Sequence, residues 1–199
     1  YLDNPVLKER MEHIAQIISE EDELAALATF SMVEGVILYS AFAYLKHFQS
    51  QGKNKLLNVV RGINFSLRDE NLHALASAYA FKVKAKNAGL NAEQWESLKG
   101  KITTAALKIF EHEDEIIDMV FEKGTQDGIT SKQLKNFVKA RINECFKQLG
   151  FQSLFDVTYD PISDWFYKAI NDYTFNDFFS GLGREYARDW DESKFVWKV

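Results

Sequence analysis

The chain has 199 residues, of which 46% are hydrophobic and 14% aromatic, enough for one globular domain with a substantial core. Its formal net charge of −5 argues against nucleic-acid binding, because no stripe of Lys and Arg offsets the acidic residues. The single cysteine excludes an internal disulfide and fits a reducing, cytoplasmic setting, and no apolar run reaches the roughly 18 residues of a membrane span.

Helix signals begin at the start of the chain. Asn4–Pro5 is typical of an N-cap followed by the first residue of a helix, here of about four turns. A second helix is predicted over residues 23–48 and a third over residues 54–87, with a turn at Gln51–Lys53 between them. Both helices carry apolar residues at alternating spacings of three and four, which is the pattern of one buried helix face.

Capping patterns predict three more helices. Asn91 with Gln94 forms a capping box for a fourth helix that ends near Gly124. Thr130 with Gln133 forms a second capping box, for a fifth helix that ends at Gly150. A short sixth helix is predicted to open at Asp160–Pro161 and to end near Ile170.

The helices predict an all-α fold, a bundle of long helices. No segment shows the alternating pattern of a strand, and two prolines and ten glycines leave the helices largely uninterrupted. The bundle domain is predicted to cover residues 1–172, and residues 173–199 form an aromatic, mixed-charge tail. Because the chain opens on Tyr1 without an initiator methionine, it is expected to be part of something larger.

Three ionisable residues lie on helix faces that should be apolar. Glu34 interrupts the stripe of the second helix, and Glu70 and His73 interrupt the stripe of the third. A carboxylate in a protein core costs several kcal/mol unless its pKa shifts or a cation compensates its charge. These residues are therefore candidates for a functional site.

The turn between the two helices predicts that these side chains converge. Glu34 precedes Gly52 by 18 residues and Glu70 follows it by 18, so both lie about 27 Å from the turn of an antiparallel hairpin. Glu70 and His73 share a helix face at i and i+3. Two carboxylates and an imidazole form a ligand set suited to iron or manganese. Ferritin-like two-metal proteins use a Glu from each of two helices and Glu-x-x-His from each of two others, and this chain has one of each.

Residues 68–73 have the sequence Arg-Asp-Glu-Asn-Leu-His, and residues 34–42 surround Glu34 on the preceding helix. The first segment closely resembles the Arg-Asp-Glu-x-x-His segment, and the second the Glu-containing helix, of the small subunit of class I ribonucleotide reductases, in its carboxy-terminal half. Asp160–Pro161 stands where the family usually has Asn-Pro. The resemblance runs in order from about residue 24 to 190 and includes residues 139–143, 176–179 and 184–186.

The resemblance implies a ferritin-like bundle that takes part in reducing ribonucleotides to deoxyribonucleotides. Glu34, Glu70 and His73 fall where the family places three of the six ligands of a dinuclear metal centre, with iron expected and manganese as the alternative. Asp69 falls on an aspartate that orients a ligand imidazole and takes part in the radical route. Tyr186 falls on a tail tyrosine that relays the radical to the large subunit. Asp69 and Tyr186 are thus the expected catalytic residues.

The resemblance also implies that half of the site is missing. The family's aspartate ligand, its first Glu-x-x-His and its radical-bearing tyrosine precede the region where this chain begins. Two hypotheses stay open. The chain is part of a split small subunit completed by a separate amino-terminal fragment, or it is a cut or partial piece of a longer chain. Expected partners are that fragment, the large subunit and a second copy of the assembled unit, in the cytoplasm, with neither nucleic acid nor membrane.

Other interpretations of the same residues predict other functions. A different two-metal ferritin-like oxidase or iron-storage protein would use similar ligands without a large subunit. A non-catalytic helical interaction module would use Glu34, Glu70 and His73 as a buried polar network. Four more residues have simpler expected roles: Tyr39 and Tyr79 as core aromatics, His112 on a solvated helix face and Cys145 as an inert packing residue.

Overall fold

The computed structural model describes residues 3–18, 22–53, 55–126 and 128–167. Across these ranges the chain is helical, with one isolated bridge between Gln126 and Ile129 and no strand, which confirms the all-α prediction. The elements, in order, are α1 Pro5–Ile18, α2 Glu23–Val36, α3 Tyr39–Lys46, a 3₁₀ turn Ser50–Gly52, α4 Leu57–Ala88, α5 Ala92–Phe121 and α6 Ser131–Leu149. Residues 161–167 form a further helical segment.

Polar side chains cap the N-terminal ends of several of these helices. The Asp22 carboxylate accepts a hydrogen bond from a backbone N–H in the first turn of α2. Asn91 with Gln94 and Thr130 with Gln133 form the two predicted capping boxes, in which each side chain satisfies the backbone N–H of the other residue. These local hydrogen bonds explain why α5 and α6 begin where the sequence predicted.

The helix predicted over residues 23–48 is two helices, so that prediction is wrong. α2 ends at Val36 and α3 begins at Tyr39, because Leu38 adopts a left-handed conformation with φ of 77° that a right-handed helix cannot contain. The third predicted helix likewise begins later, at Leu57, because Leu56 is left-handed with φ of 56°. Neither site has the glycine or proline that would have predicted a break.

α2 lies at the centre of the bundle, packed against α4, α5 and α6. Large aromatic side chains fill the core around it, and Phe81, Phe137 and Phe166 are fully buried. Removing each such ring from water contributes about 2–3 kcal/mol. The buried positions of α2 itself are mostly small, which lets its neighbours approach closely: Ala25, Ala28, Thr29, Ser31, Met32, Gly35 and Val36.

Four side chains with simple expected roles can be compared with their predicted positions. Tyr39 is buried, as predicted, whereas Tyr79 is 68% exposed, so the prediction of a core aromatic there is wrong. The prediction of a solvated His112 is also wrong, because α5 turns this residue toward α1, where its ring lies 5.4 Å from that of His13. Burial raises the pKa of the Cys145 thiol to about 11, which fits an inert packing residue.

The segment Glu23–Lys46 is long and apolar enough to cross a membrane by length and composition. In the bundle it is divided at Leu38, and its first part, α2, is the central helix. A buried core helix passes the same test of length and composition.

Part of the predicted organisation lies outside the described residues. The end of the sixth predicted helix near Ile170 and the whole tail over residues 173–199 belong to this part, and so does Tyr186. The division into a bundle of residues 1–172 and a docking tail therefore stays a prediction.

Candidate metal centre

α2 and α4 pack against each other in opposite directions. The Ser31 hydroxyl donates a hydrogen bond to the carbonyl of Ala74 over 2.8 Å. One turn further along α2, Glu34 meets His73, which precedes Ala74 on α4. Rising residue numbers on one helix thus pair with falling numbers on the other, which is the antiparallel hairpin expected from the sequence.

The three candidate ligands lie together between these helices. The donor atoms of Glu34, Glu70 and His73 all fall within 4.8 Å of one another. His73 Nδ1 lies 3.3 Å from Glu34 Oε2 and 3.8 Å from Glu70 Oε2. The two carboxyl side chains are mostly buried, 18% and 26% exposed, whereas the imidazole is 56% exposed. The cluster therefore lies at the edge of the bundle, with its imidazole on the open side.

The two carboxyl groups repel each other electrostatically. The pKa of Glu70 rises to about 7, first because its side chain hydrogen-bonds the Glu34 carboxyl, then because of burial and the Glu34 charge, while His73 opposes the rise. Such a rise means that the paired carboxyl groups favour holding a proton over carrying two negative charges. A divalent cation can take the place of that proton.

The donor set fits a metal of the iron or manganese type. Two carboxylate oxygens and one imidazole nitrogen are the ligands that such metals accept, and three donor atoms within 4.8 Å can reach one ion after small side-chain adjustments. Three protein ligands leave coordination positions for groups from outside this chain. The cluster therefore has the chemistry of half of a two-metal carboxylate site.

Gly35 sets the close approach of helices around this cluster. A Cβ added at Gly35 would lie 2.6 Å from Cys145 Sγ on α6 and 3.3 Å from the Ala74 Cβ on α4. Only a residue without a side chain allows α2 to lie so near both helices. Because Glu34 is the preceding residue, this contact also fixes how far its carboxylate stands from α4.

Replacing Gly35 with Ala is expected to destabilise the fold by about 1–3 kcal/mol, because the new methyl group overpacks a buried junction. Gly62→Ala is the matched control, since Gly62 is also in a helix but a Cβ there meets nothing within 4 Å. The control is expected to stabilise the chain by about 0.5–1 kcal/mol through helix propensity. Urea unfolding of both variants measures the difference, and equal effects would contradict the crowding at Gly35.

Apolar side chains close in sequence to the candidate ligands are exposed. Phe30 on α2 is 39% exposed, Leu38 between α2 and α3 is 45% exposed and Leu72 on α4 is 63% exposed. Ile63 and Leu67, which precede Glu70 by seven and three residues on α4, are by contrast buried. They provide an apolar surface on the bundle side of the cluster.

The two expected catalytic residues have different outcomes. Asp69 is exposed on α4, near enough for its charge to contribute to the raised pKa of Glu70. His73 Nδ1, however, faces Glu34 and Glu70. Tyr186 lies outside the described residues. The roles of Asp69 and Tyr186 therefore stay predictions.

A buried carboxylate that sequence reasoning missed lies beside the break between α2 and α3. Glu113 of α5 is fully buried, and it accepts hydrogen bonds from the Arg10 guanidinium and the Ser40 hydroxyl. The backbone N–H of Leu38 also bonds to it. Burial raises the pKa of Glu113, while the charge of Arg10 opposes the rise. This carboxylate thus stabilises the start of α3.

A buried guanidinium, equally missed, lies on the other side of the break. Arg141 of α6 is 3% exposed, and its Nε and Nη2 donate to the Gly35 carbonyl over 3.0 and 2.8 Å. Its Nη1 donates to the Tyr167 hydroxyl over 2.8 Å. The sequence offered one signal for both residues, a charge on the buried face of a helix, which is the signal that identified Glu34.

Comparison with known proteins agrees with this geometry. The family described as ribonucleotide reductase, small chain, matches residues 1–161. A protein of Invertebrate iridescent virus 3, recorded as a probable ribonucleoside-diphosphate reductase small subunit, is 26% identical over 169 residues. That match covers 84% of this chain and 44% of the viral protein, so the chain spans less than half the length of this relative.

The fold has a relative among crystal structures. A chain from Bacillus halodurans, provisionally assigned to class I ribonucleotide reductase, superimposes with a TM-score of 0.68 over 84% of this chain and 60% of its own length. The two are 22% identical, so the likeness concerns the fold. That fold is a ferritin-like helical bundle, as predicted.

Proposed function

Because the chain belongs to the ribonucleotide reductase small-chain family, we propose that it supplies half of a dimetal-carboxylate site that generates the radical for ribonucleotide reduction. The observation that carries this proposal is the convergence of Glu34, Glu70 and His73 within 4.8 Å between α2 and α4. The family supports an oxidoreductase, and the geometry supports the ligand roles.

The residues of this chain hold and insulate the centre. Glu34 and Glu70 provide two of its carboxylates, and His73 provides an imidazole nitrogen. When bound, the dinuclear centre, with iron expected and manganese as the alternative, supplies the oxidising chemistry. Ile63 and Leu67 exclude water on the bundle side. Asp69 takes part in the radical route beside the ligands, and Tyr186 relays the radical toward the large subunit.

The rest of the centre comes from an amino-terminal portion that covers the open side. Support comes from the 56% exposure of the His73 side chain and from exposed Phe30, Leu38 and Leu72, each within four residues of a candidate ligand in sequence. Such exposure is poorly suited to holding a reactive centre. In the split-subunit form of the proposal this portion is a separate chain. The assembled unit is a cytoplasmic homodimer that binds the large subunit through residues 173–199.

Metal counting with and without the missing half tests this proposal. The chain alone is expected to bind one Fe²⁺ or Mn²⁺ per copy, and the chain mixed with an amino-terminal portion of a related small subunit is expected to bind two. Plasma emission spectrometry measures the stoichiometry, and electron paramagnetic resonance detects the radical after exposure to air. His73→Ala in the same mixture is the control for metal bound elsewhere.

Two results would contradict the proposal. Two metals per copy of the chain alone would exclude the half-site, because three ligands cannot hold two ions in the manner of this family. A folded chain that binds no metal in either form would favour a non-catalytic helical module.

A further inference from the structure

We propose that Arg141 is a positioning residue for the candidate ligand Glu34, acting through the carbonyl of Gly35. The inference rests on the proposed function for the ligand role of Glu34, and on the hydrogen bonds of Arg141 for the rest. Arg141 is on α6 and is not one of the three candidate ligands.

The geometry begins with the end of α2. In a continuous helix the Gly35 carbonyl would accept a hydrogen bond from the N–H of Tyr39, four residues later. The left-handed Leu38 interrupts the helix between them. Arg141 replaces the missing donor, with Nε at 3.0 Å and Nη2 at 2.8 Å from the same oxygen. The forked guanidinium thus caps a helix end that lies one residue beyond Glu34.

The buried surroundings of Arg141 hold its guanidinium at the C-terminal end of α2. It is 3% exposed, and in the described part of the chain its charged and polar side-chain partners are tyrosines and a cysteine, with no carboxylate paired to it. Its charge is compensated by the negative end of the α2 dipole, by the face of the Tyr39 ring at 4.2 Å and by the Tyr167 hydroxyl. Moving the buried Arg141 guanidinium away from the Gly35 carbonyl and the two tyrosines would cost free energy, because its charge would lose these partners. Its hydrogen bonds therefore hold the Gly35 carbonyl in place.

The fixed carbonyl determines where Glu34 points. Gly35 is wedged between Cys145 and Ala74, so the last turn of α2 has one well-packed position. Without Arg141 the buried carbonyl would have no donor, and the chain could recover one by closing the break onto the Tyr39 N–H. That closure would turn the peptide next to Glu34 and move its carboxylate relative to His73.

Arg141→Met tests the inference, because methionine has a similar length and no donor. In the full 199-residue chain, Co²⁺ affinity followed by visible absorption is expected to fall about 10-fold, the lower end of the loss seen when a direct hydrogen-bond partner of a metal ligand is removed, because Arg141 acts on Glu34 through Gly35. Arg141→Lys is expected to recover part of the affinity, since its ammonium can donate one hydrogen bond to the carbonyl. In the metal-free chain, hydrogen exchange is expected to change over residues 35–39 in Arg141→Met.

Leu134→Ala is the matched control for lost stability. Leu134 is also buried on α6, two turns before Arg141, and does not cap Gly35. This variant is expected to unfold more easily but to keep the Co²⁺ affinity and the exchange pattern of residues 35–39. Equal losses of affinity in Leu134→Ala and Arg141→Met, or unchanged exchange in Arg141→Met, would overturn the positioning role. A wild-type chain that binds no Co²⁺ would instead refute the ligand role of Glu34, and the exchange measurement would still decide whether Arg141 holds the break.

Discussion

Glu34→Gln is expected to remove metal binding at the α2–α4 cluster while leaving the metal-free chain as stable as the wild type, or slightly more stable. The affinity loss should exceed the roughly 100-fold that marks the loss of an outer hydrogen-bond partner, because a direct ligand is lost. Stability should not fall, because two charged carboxylates are unfavourable here: the hydrogen bond to Glu34, burial and the Glu34 charge together raise the pKa of Glu70 to about 7. Glutamine keeps the shape and removes one of the two charges.

The opposite signs of these two effects distinguish a metal site from a structural polar network. In a network each partner stabilises the others, so Glu34→Gln would lower the free energy of unfolding. Isothermal titration with Mn²⁺ and urea unfolding of the same preparations give the two quantities. Glu96→Gln is the control, since Glu96 also lies near a basic side chain, Lys99, but is itself 70% exposed. A Glu34→Gln variant that binds Mn²⁺ like the wild type would exclude Glu34 as a ligand.

Arg10→Met is expected to cost about 3–5 kcal/mol of folding free energy at neutral pH. Arg10 pairs with Glu113, whose side chain is 0% exposed. Removing the guanidinium leaves a buried carboxylate with the Ser40 hydroxyl and one backbone N–H as its remaining donors. Thermal or urea unfolding measures the loss, and Arg10→Met combined with Glu113→Gln should recover much of it, because the double variant buries no charge there.

The cost of Arg10→Met should depend on pH with a definite sign. Burial already raises the pKa of Glu113 above its usual value of 4.5, and loss of Arg10 removes a cause that lowers it. As pH rises above 4.5, the unfolded chain therefore releases this proton before the folded chain does, and stability falls. The variant should consequently be less impaired near pH 4.5 than at pH 7. An effect independent of pH would show that lost packing, and not the unpaired charge, causes the instability.

Local sequence patterns predicted the helix ends correctly where the capping groups belong to the same helix. The capping boxes at Asn91 and Thr130 need residues three apart in sequence, so α5 and α6 begin where predicted. The break at Leu38 was not predictable in this way, because the groups that stabilise it, Glu113 and Arg141, come from distant parts of the chain. A charged residue on a buried helix face indicates that it has a partner elsewhere in the fold, but it does not identify that partner.

The candidate cluster was predictable because its geometry depends on one hairpin. Counting residues from Gly52 placed Glu34 near Glu70 and His73, and the structure brings all three together. The count could not determine the finer register, in which Glu34 meets His73 Nδ1 at 3.3 Å, because the break at Leu38 and the 3₁₀ turn change the rise between the helices. The exposure of His73 depends on which elements cover α4, and no pattern in α4 itself reports that.

The hydrogen bond from Ser31 to Ala74 has a consequence for the order of assembly. It joins α2 to α4 one turn from the three candidate ligands, so their spacing is established when this chain folds and does not wait for a second polypeptide. The conformational entropy of these side chains is lost when this chain folds. Association with the second polypeptide therefore costs less conformational entropy. In the proposed two-part centre, the preformed cluster of three candidate ligands can thus bind the first ion before the other half binds. Binding of the other half then completes the site.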